Sequence, residues 1–224
     1  MGSKPARSKK ALIATFGLIL LAVILALIAP EEKTLGSYIR LIYIHAAVTW
    51  VGMLMFAISG LYALLLFFGF LLDKSAAHGI KDVVVAWSSA SQVTAIWFWT
   101  ASVVLGSFAA RLTWGGNWWI EPRLRVAAFI LVLAFVIYQL RQMIANVMFK
   151  AALNLSLPVA SVILLASTGK LVHPNNAFAQ SDSIEIKASA AIITILFAIV
   201  SVISMRLLIT REHQRGNDLE LAGF

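Results

Sequence analysis

Six stretches of this chain contain no Asp, Glu, Lys or Arg: residues 11–30, 41–72, 83–110, 126–140, 151–169 and 188–205. An α-helix rises about 1.5 Å per residue, so about 20 apolar residues match the roughly 30 Å hydrocarbon core of a bilayer. Each stretch is therefore a candidate span. The fourth rises only about 22 Å, and the arginines at its ends, Arg123, Arg125 and Arg141, lengthen it if they snorkel to the interfaces. Of the 224 residues 61% are apolar and 12% are charged, about half the charged share of a soluble domain, too little to coat a water-exposed surface. The sequence predicts an all-α, polytopic membrane protein: a single membrane domain over residues 1–224 with six transmembrane helices.

The first apolar run follows Lys4, Arg7, Lys9 and Lys10. It is too long for the core of a signal peptide and has no clean A-x-A cleavage site, so it is read as a retained span. Six crossings place both termini on one side. That side collects Lys4, Arg7, Lys9, Lys10, Lys74, Lys81, Arg141, Lys150, Arg206, Arg211 and Arg215, eleven of the 18 basic residues. The other side holds Lys33, Arg40, Arg111, Arg123, Arg125, Lys170 and Lys187. The positive-inside rule then predicts cytoplasmic N- and C-termini in a cytoplasmic (inner) membrane, with segments 31–40, 111–125 and 170–187 facing outward. The formal charge of +8 is dispersed over short connections, so it marks topology and no nucleic-acid surface.

The outward segment 111–125 concentrates Trp114, Trp118 and Trp119 beside Arg111, Arg123 and Arg125. One reading is an aromatic belt, since tryptophan favours membrane interfaces. The other is a flat indole platform, with Gly115 and Gly116 admitting a close approach and guanidinium groups to pair carboxylates, suited to a planar, amphiphilic, doubly carboxylated ligand. Composition leaves both open. His45 lies about 7 Å deeper than Arg40 along the second span, an intramembrane ionisable residue and hence a functional candidate; a neutral imidazole bonded to a neighbouring helix is the bland alternative. His173 precedes Pro174 at the outer end of the fifth span. Two outward histidines flanking such a loop fit axial ligation of a haem iron better than either fits alone. His78 and His213 lie among charged residues on the inner side and read as surface.

Cysteine is absent, which removes disulfides, thiolate metal sites and thioether attachment through this chain. No histidines stand at zinc-binding spacing. The third span carries Ser88, Ser89, Ser91, Gln92, Thr94, Thr100 and Ser102, either a polar path or hydrogen bonds to neighbouring helices. No nucleophile–base pair, phosphate loop or paired intramembrane carboxylate occurs, so the chain is not read as an enzyme.

Three segments carry a resemblance to a known family. Gly106 and Ser107 followed by Arg111, Thr113, Trp114, Gly115, Trp118, Glu121, Arg123 and Leu124 are similar to GSxxxRxTWGxxWxWDxRLT. Arg40 to His45 with Trp50 is similar to RIMYIHxPxxW, and His173 follows the fifth span as the pattern requires. Here the chain resembles the haem-handling proteins of cytochrome c maturation, the CcmC/CcsA type marked by a WWD loop, and the CcmC branch in particular. Ile120, Glu121, Arg125 and Ala47 depart from the pattern, standing where the family has Trp, Asp, Thr and Pro. The resemblance implies non-covalent haem b on the outer side of the membrane, with His45 and His173 on the iron. Trp114, Trp118 and Trp119 would contact the porphyrin, and Arg40, Arg111, Arg123 and Arg125 would serve the propionates. It implies presentation of haem to a CcmE-like haem chaperone, beside CcmA/CcmB-like subunits of an ATP-binding-cassette transporter and a small membrane subunit, with ATP hydrolysis confined to that transporter. The competing expectations are an electron-transferring b-type cytochrome that keeps its haem, and a transporter or structural subunit without haem.

Overall fold

The computed structural model describes residues 4–72, 78–115, 120–168 and 177–221. They form seven helices: α1 (Lys4–Ile28), α2 (Ile39–Leu72), α3 (His78–Trp114), α4 (Pro122–Met143), α5 (Val147–Ala166), the short α6 (Ala177–Gln180) and α7 (Ile184–Leu221). Six of them are long and apolar enough to cross a membrane: Ser8–Ile28, Ile39–Gly69, Lys81–Thr113, Pro122–Met143, Val147–Ala166 and Ile184–Arg211. The protein is a six-span, all-helical membrane protein.

Large apolar side chains point outward along every span, among them Phe16, Trp97 at 70% exposure, Val132 and Ile195. In water such a surface would aggregate; in lipid it is the natural exterior. The interior is organised around α2 and α3, which pack against each other more extensively than any other pair. α5 and α7 also lie on α2, α4 bridges α3 and α5, and α1 sits at the periphery against α7 and α2.

The short fourth run becomes a full span through its ends. Glu121 caps α4, its Oε1 accepting from the Arg123 N–H at 3.3 Å, and Pro122 occupies the first turn, where its missing N–H costs no bond. The resulting 22 residues rise about 33 Å, enough to cross without extension. Arg141 accordingly does not snorkel as expected: it is 5% exposed, and its Nη1 donates to Gln92 Oε1 of α3.

That bond belongs to a polar seam centred on one turn of α3. Ser88 Oγ donates to the Ser59 carbonyl at 3.1 Å and Ser59 Oγ to the Ser88 carbonyl at 3.0 Å, a reciprocal clasp between α2 and α3. Asn154 Nδ2 of α5 donates to Ser88 Oγ at 2.6 Å, and Ser91 Oγ bonds Met205 Sδ of α7 at 3.1 Å. Of the two readings of the polar third span, these residues bond neighbouring helices. Near the seam α5 carries Pro158, which deprives the Asn154 carbonyl of its helical donor. Its ring projects toward α2 and meets Gly60, where an added Cβ would lie 2.7 Å from Pro158 Cγ.

Gly60→Ala should therefore force the stiff proline ring and α2 apart and cost about 1–3 kcal/mol. Gly17→Ala on α1, with nothing within 4 Å of the new methyl, should be neutral or stabilising. Unfolding of both variants in detergent checks the contrast.

Candidate functional site

The α2–α3 pairing sets the site. Thr49 Oγ1 donates to the His45 carbonyl at 2.7 Å and bonds Ser102 Oγ at 2.6 Å. One turn further toward the N-terminus of α2, the His45 imidazole lies against α3 at Gly106. A Cβ built on Gly106 would stand 2.8 Å from His45 Cε1, 3.4 Å from its Nδ1 and 3.2 Å from Leu124 Cδ1 of α4. The imidazole is thus half-buried at the joint of α2, α3 and α4, with Nδ1 shielded from solvent.

The same end of the bundle gathers the cationic side chains. Arg40 stands in the first turn of α2, where a positive charge opposes the helix dipole; its Nη2 lies 3.3 Å from Glu31 Oε1, and both side chains are well exposed. The preceding turn is tied by Glu32, whose Oε2 accepts from the Thr34 and Leu35 N–H groups at 2.8 and 2.9 Å. The Leu35 bond first, with that of Thr34 adding to it, holds the Glu32 carboxyl below the usual carboxylate range. Arg111 is exposed in the last turn of α3, and Arg123 and Arg125 are exposed in the first turns of α4. Arg125 also lines a cleft of about 380 Å³ with Pro122, Val126, Phe129, Ser167 and Thr168, between the start of α4 and the end of α5.

Trp114 is the last residue of α3; Trp118, Trp119 and His173 lie outside the described residues. His78 opens α3 and His213 lies in the last turns of α7. No cluster of three or more His, Cys, Asp or Glu side chains suited to a metal ion occurs among the described residues. α6 returns to this end: Phe178 stacks on Tyr43, two residues before His45, with ring centroids 4.9 Å apart.

Three contributors were not singled out as site residues from the sequence. Gly106 and Leu124 form the surroundings of His45, a role visible only once α3 and α4 are packed. Glu121 is 3% exposed, and its Oε2 has no hydrogen-bond donor among the described residues. From sequence it was one position of the outward segment 111–125; only the fold shows a carboxylate oxygen enclosed there.

No family model and no curated protein matches the chain. The fold defines the class, a multi-pass helical membrane protein, and among the described residues the His45 imidazole is seated where three spans meet.

Arg40 and Arg141 should separate in a stability measurement. The Arg40–Glu31 pair is exposed, so Arg40→Ala should change unfolding free energy by less than about 1 kcal/mol. Arg141→Ala removes a buried, charge-assisted hydrogen bond and strands the Gln92 amide, and should cost about 2–4 kcal/mol. Parallel denaturation of the two variants in detergent tests this.

Proposed function

We propose that this protein holds haem b at the outer face of the cytoplasmic (inner) membrane and presents it to a haem chaperone for cytochrome c maturation. The observation that carries the reading is the seat of His45: a half-buried imidazole packed against a glycine, at the end of the bundle where Arg40, Arg111, Arg123 and Arg125 gather. A buried cation cluster would be costly, whereas exposed guanidinium groups can exchange water or a weak partner for a carboxylate. Among the described residues, Arg40 has an exposed ion pair to give up.

Chain length lets the second histidine reach this end of the bundle. His173 precedes Phe178 by five residues, a length of chain that spans at most about 18 Å, and Phe178 stacks on Tyr43, two residues before His45 on α2. Haem is here a cargo. Its iron takes imidazole ligands from His45 and His173, its propionates pair with the arginines, and Trp114, Trp118 and Trp119 supply indole surface to the porphyrin. A holder that must release its cargo keeps its charged contacts exposed, as these are. The proposed partners are a CcmE-like chaperone, CcmA/CcmB-like transporter subunits that hydrolyse ATP, and a small membrane subunit.

The orientation is testable because the chain has no cysteine. With the termini in the cytoplasm, cysteines introduced at Asn117 and Ser183 should react with an impermeant thiol reagent in intact cells, and one at Ser75 should not. The reverse pattern would put His45 on the cytoplasmic side and sink the outward site.

The purified protein should bind about one haem per chain with a six-coordinate bis-histidine spectrum and pass it to an added chaperone. His45→Ala or His173→Ala should alter the ligation and lower occupancy, while His78→Ala and His213→Ala should do neither. Haem that stays bound in the presence of every acceptor would favour a resident b-type cytochrome; an unchanged spectrum in all four variants would refute the ligand assignment.

A further inference from the structure

We infer that Gly106 is the positioning residue for His45, fixing the face of the imidazole and with it the nitrogen offered to iron. The inference rests on the haem reading above.

A glycine inside a helix costs about 1 kcal/mol relative to alanine, so its presence two turns from the end of α3 needs a reason. Conformation is not the reason, since positive φ angles occur at Gly36 and Gly115 and not at Gly106. Space is. Of the glycines whose surroundings are described, Gly52 and Gly60 admit the backbone and side chain of a tryptophan or a proline ring, and only Gly106 admits an ionisable side chain. At 2.8 Å from His45 Cε1, a methyl group cannot coexist with the ring where it stands.

The helices leave little room to adjust. His45 faces Gly106, Thr49 bonds Ser102, and Gly52 lies against Trp99. These pairs step in opposite directions along α2 and α3 in one antiparallel register, with turns matched residue for residue. The Thr49–Ser102 bond one turn away and the Trp99 indole N–H bonded to the Ala127 carbonyl of α4 at 2.9 Å fix α3 against both neighbours. An added methyl must therefore move the imidazole or Leu124 Cδ1, the other group converging on that point.

The ring's orientation follows. Cε1 and Nδ1 are the imidazole atoms nearest a Cβ at Gly106, Nδ1 is shielded, and Nε2 is not among the atoms that converge on that point. Nε2 is then the nitrogen for iron, and Gly106 sets the azimuth from which it reaches.

The test uses the full chain in detergent with ¹⁵N-labelled histidine, first without haem and then titrated with it. Gly106→Ala should shift the His45 imidazole resonances and leave the other three histidines unmoved. It should weaken haem binding about tenfold and alter the ferric low-spin resonance signature. In a His45→Ala background the same substitution should change haem affinity less than twofold, and adding Leu124→Ala to Gly106→Ala should restore part of the loss. An unmoved His45 resonance, or an equal loss in the His45→Ala background, overturns the proposal. If Gly106→Ala does not fold, Leu124→Ala probes the same seat from α4: it must move the His45 resonance, and failure to do so overturns the proposal equally. The haem-free spectra keep the two failures apart. A wild-type chain that takes up no haem defeats the haem reading and the role of Nε2, whereas an unmoved His45 resonance defeats the seat whatever the haem result.

Discussion

Hydrogen bonds made by a single turn of α3 hold this bundle together. In hydrocarbon there is no water to satisfy a polar group, so each one must find a partner inside the protein. Ser88, Ser91 and Gln92 reach α2, α5, α7 and α4 through Ser59, Asn154, Met205 and Arg141. Interhelical bonds of this kind are each worth about 1 kcal/mol in a membrane. Their consequence is greater for geometry than for energy: four helices take their position from one turn, and a helix that rotated or slid would strand several buried groups together.

The site lies at the opposite end of α3, on the same α2–α3 interface. There one register packs Gly52 on Trp99, bonds Thr49 to Ser102 and brings His45 onto Gly106. The imidazole is therefore supported on rigid helices rather than on a loop, while Arg40, Arg111, Arg123 and Arg125 stand at helix ends. For the proposed haem holder, a rigid imidazole among adjustable cations would suit capture of an amphiphilic cargo and its later release. In a resident electron-transfer site, burial of the whole group would serve better, because it excludes solvent and partners alike.

Much of this was written in the sequence. Charge-free runs of spanning length dictate helices, because no other single-segment structure satisfies its own backbone in a bilayer. The ends were not legible: the fourth charge-free run began at Val126 and the fifth at Ala151, whereas Glu121 and Pro122 start α4, and Asn146 starts α5 by accepting from the Phe149 N–H at 3.1 Å. The positions of Arg40, His45 and the arginines of segment 111–125 at span ends needed only counting. Their proposed ligand came from the pattern of residue types and from family resemblance, which periodicity cannot supply.

Tertiary structure decided the rest, because it depends on which helix faces which. From sequence, Arg141 was a snorkelling flank; in the bundle it is enclosed on Gln92, since α4 turns that face inward against α3. Ser88 and Ser91 were equally a polar path or helix glue until their partners on α2, α5 and α7 were in place. Gly106 had no role beyond its place in a motif until the antiparallel register set the His45 ring over it. Hydropathy fixes how many spans there are, through the free energy of each residue in lipid. Contact identity arises only when helices meet, because lipid is as apolar as the helix faces and only shape and hydrogen bonds select the partner.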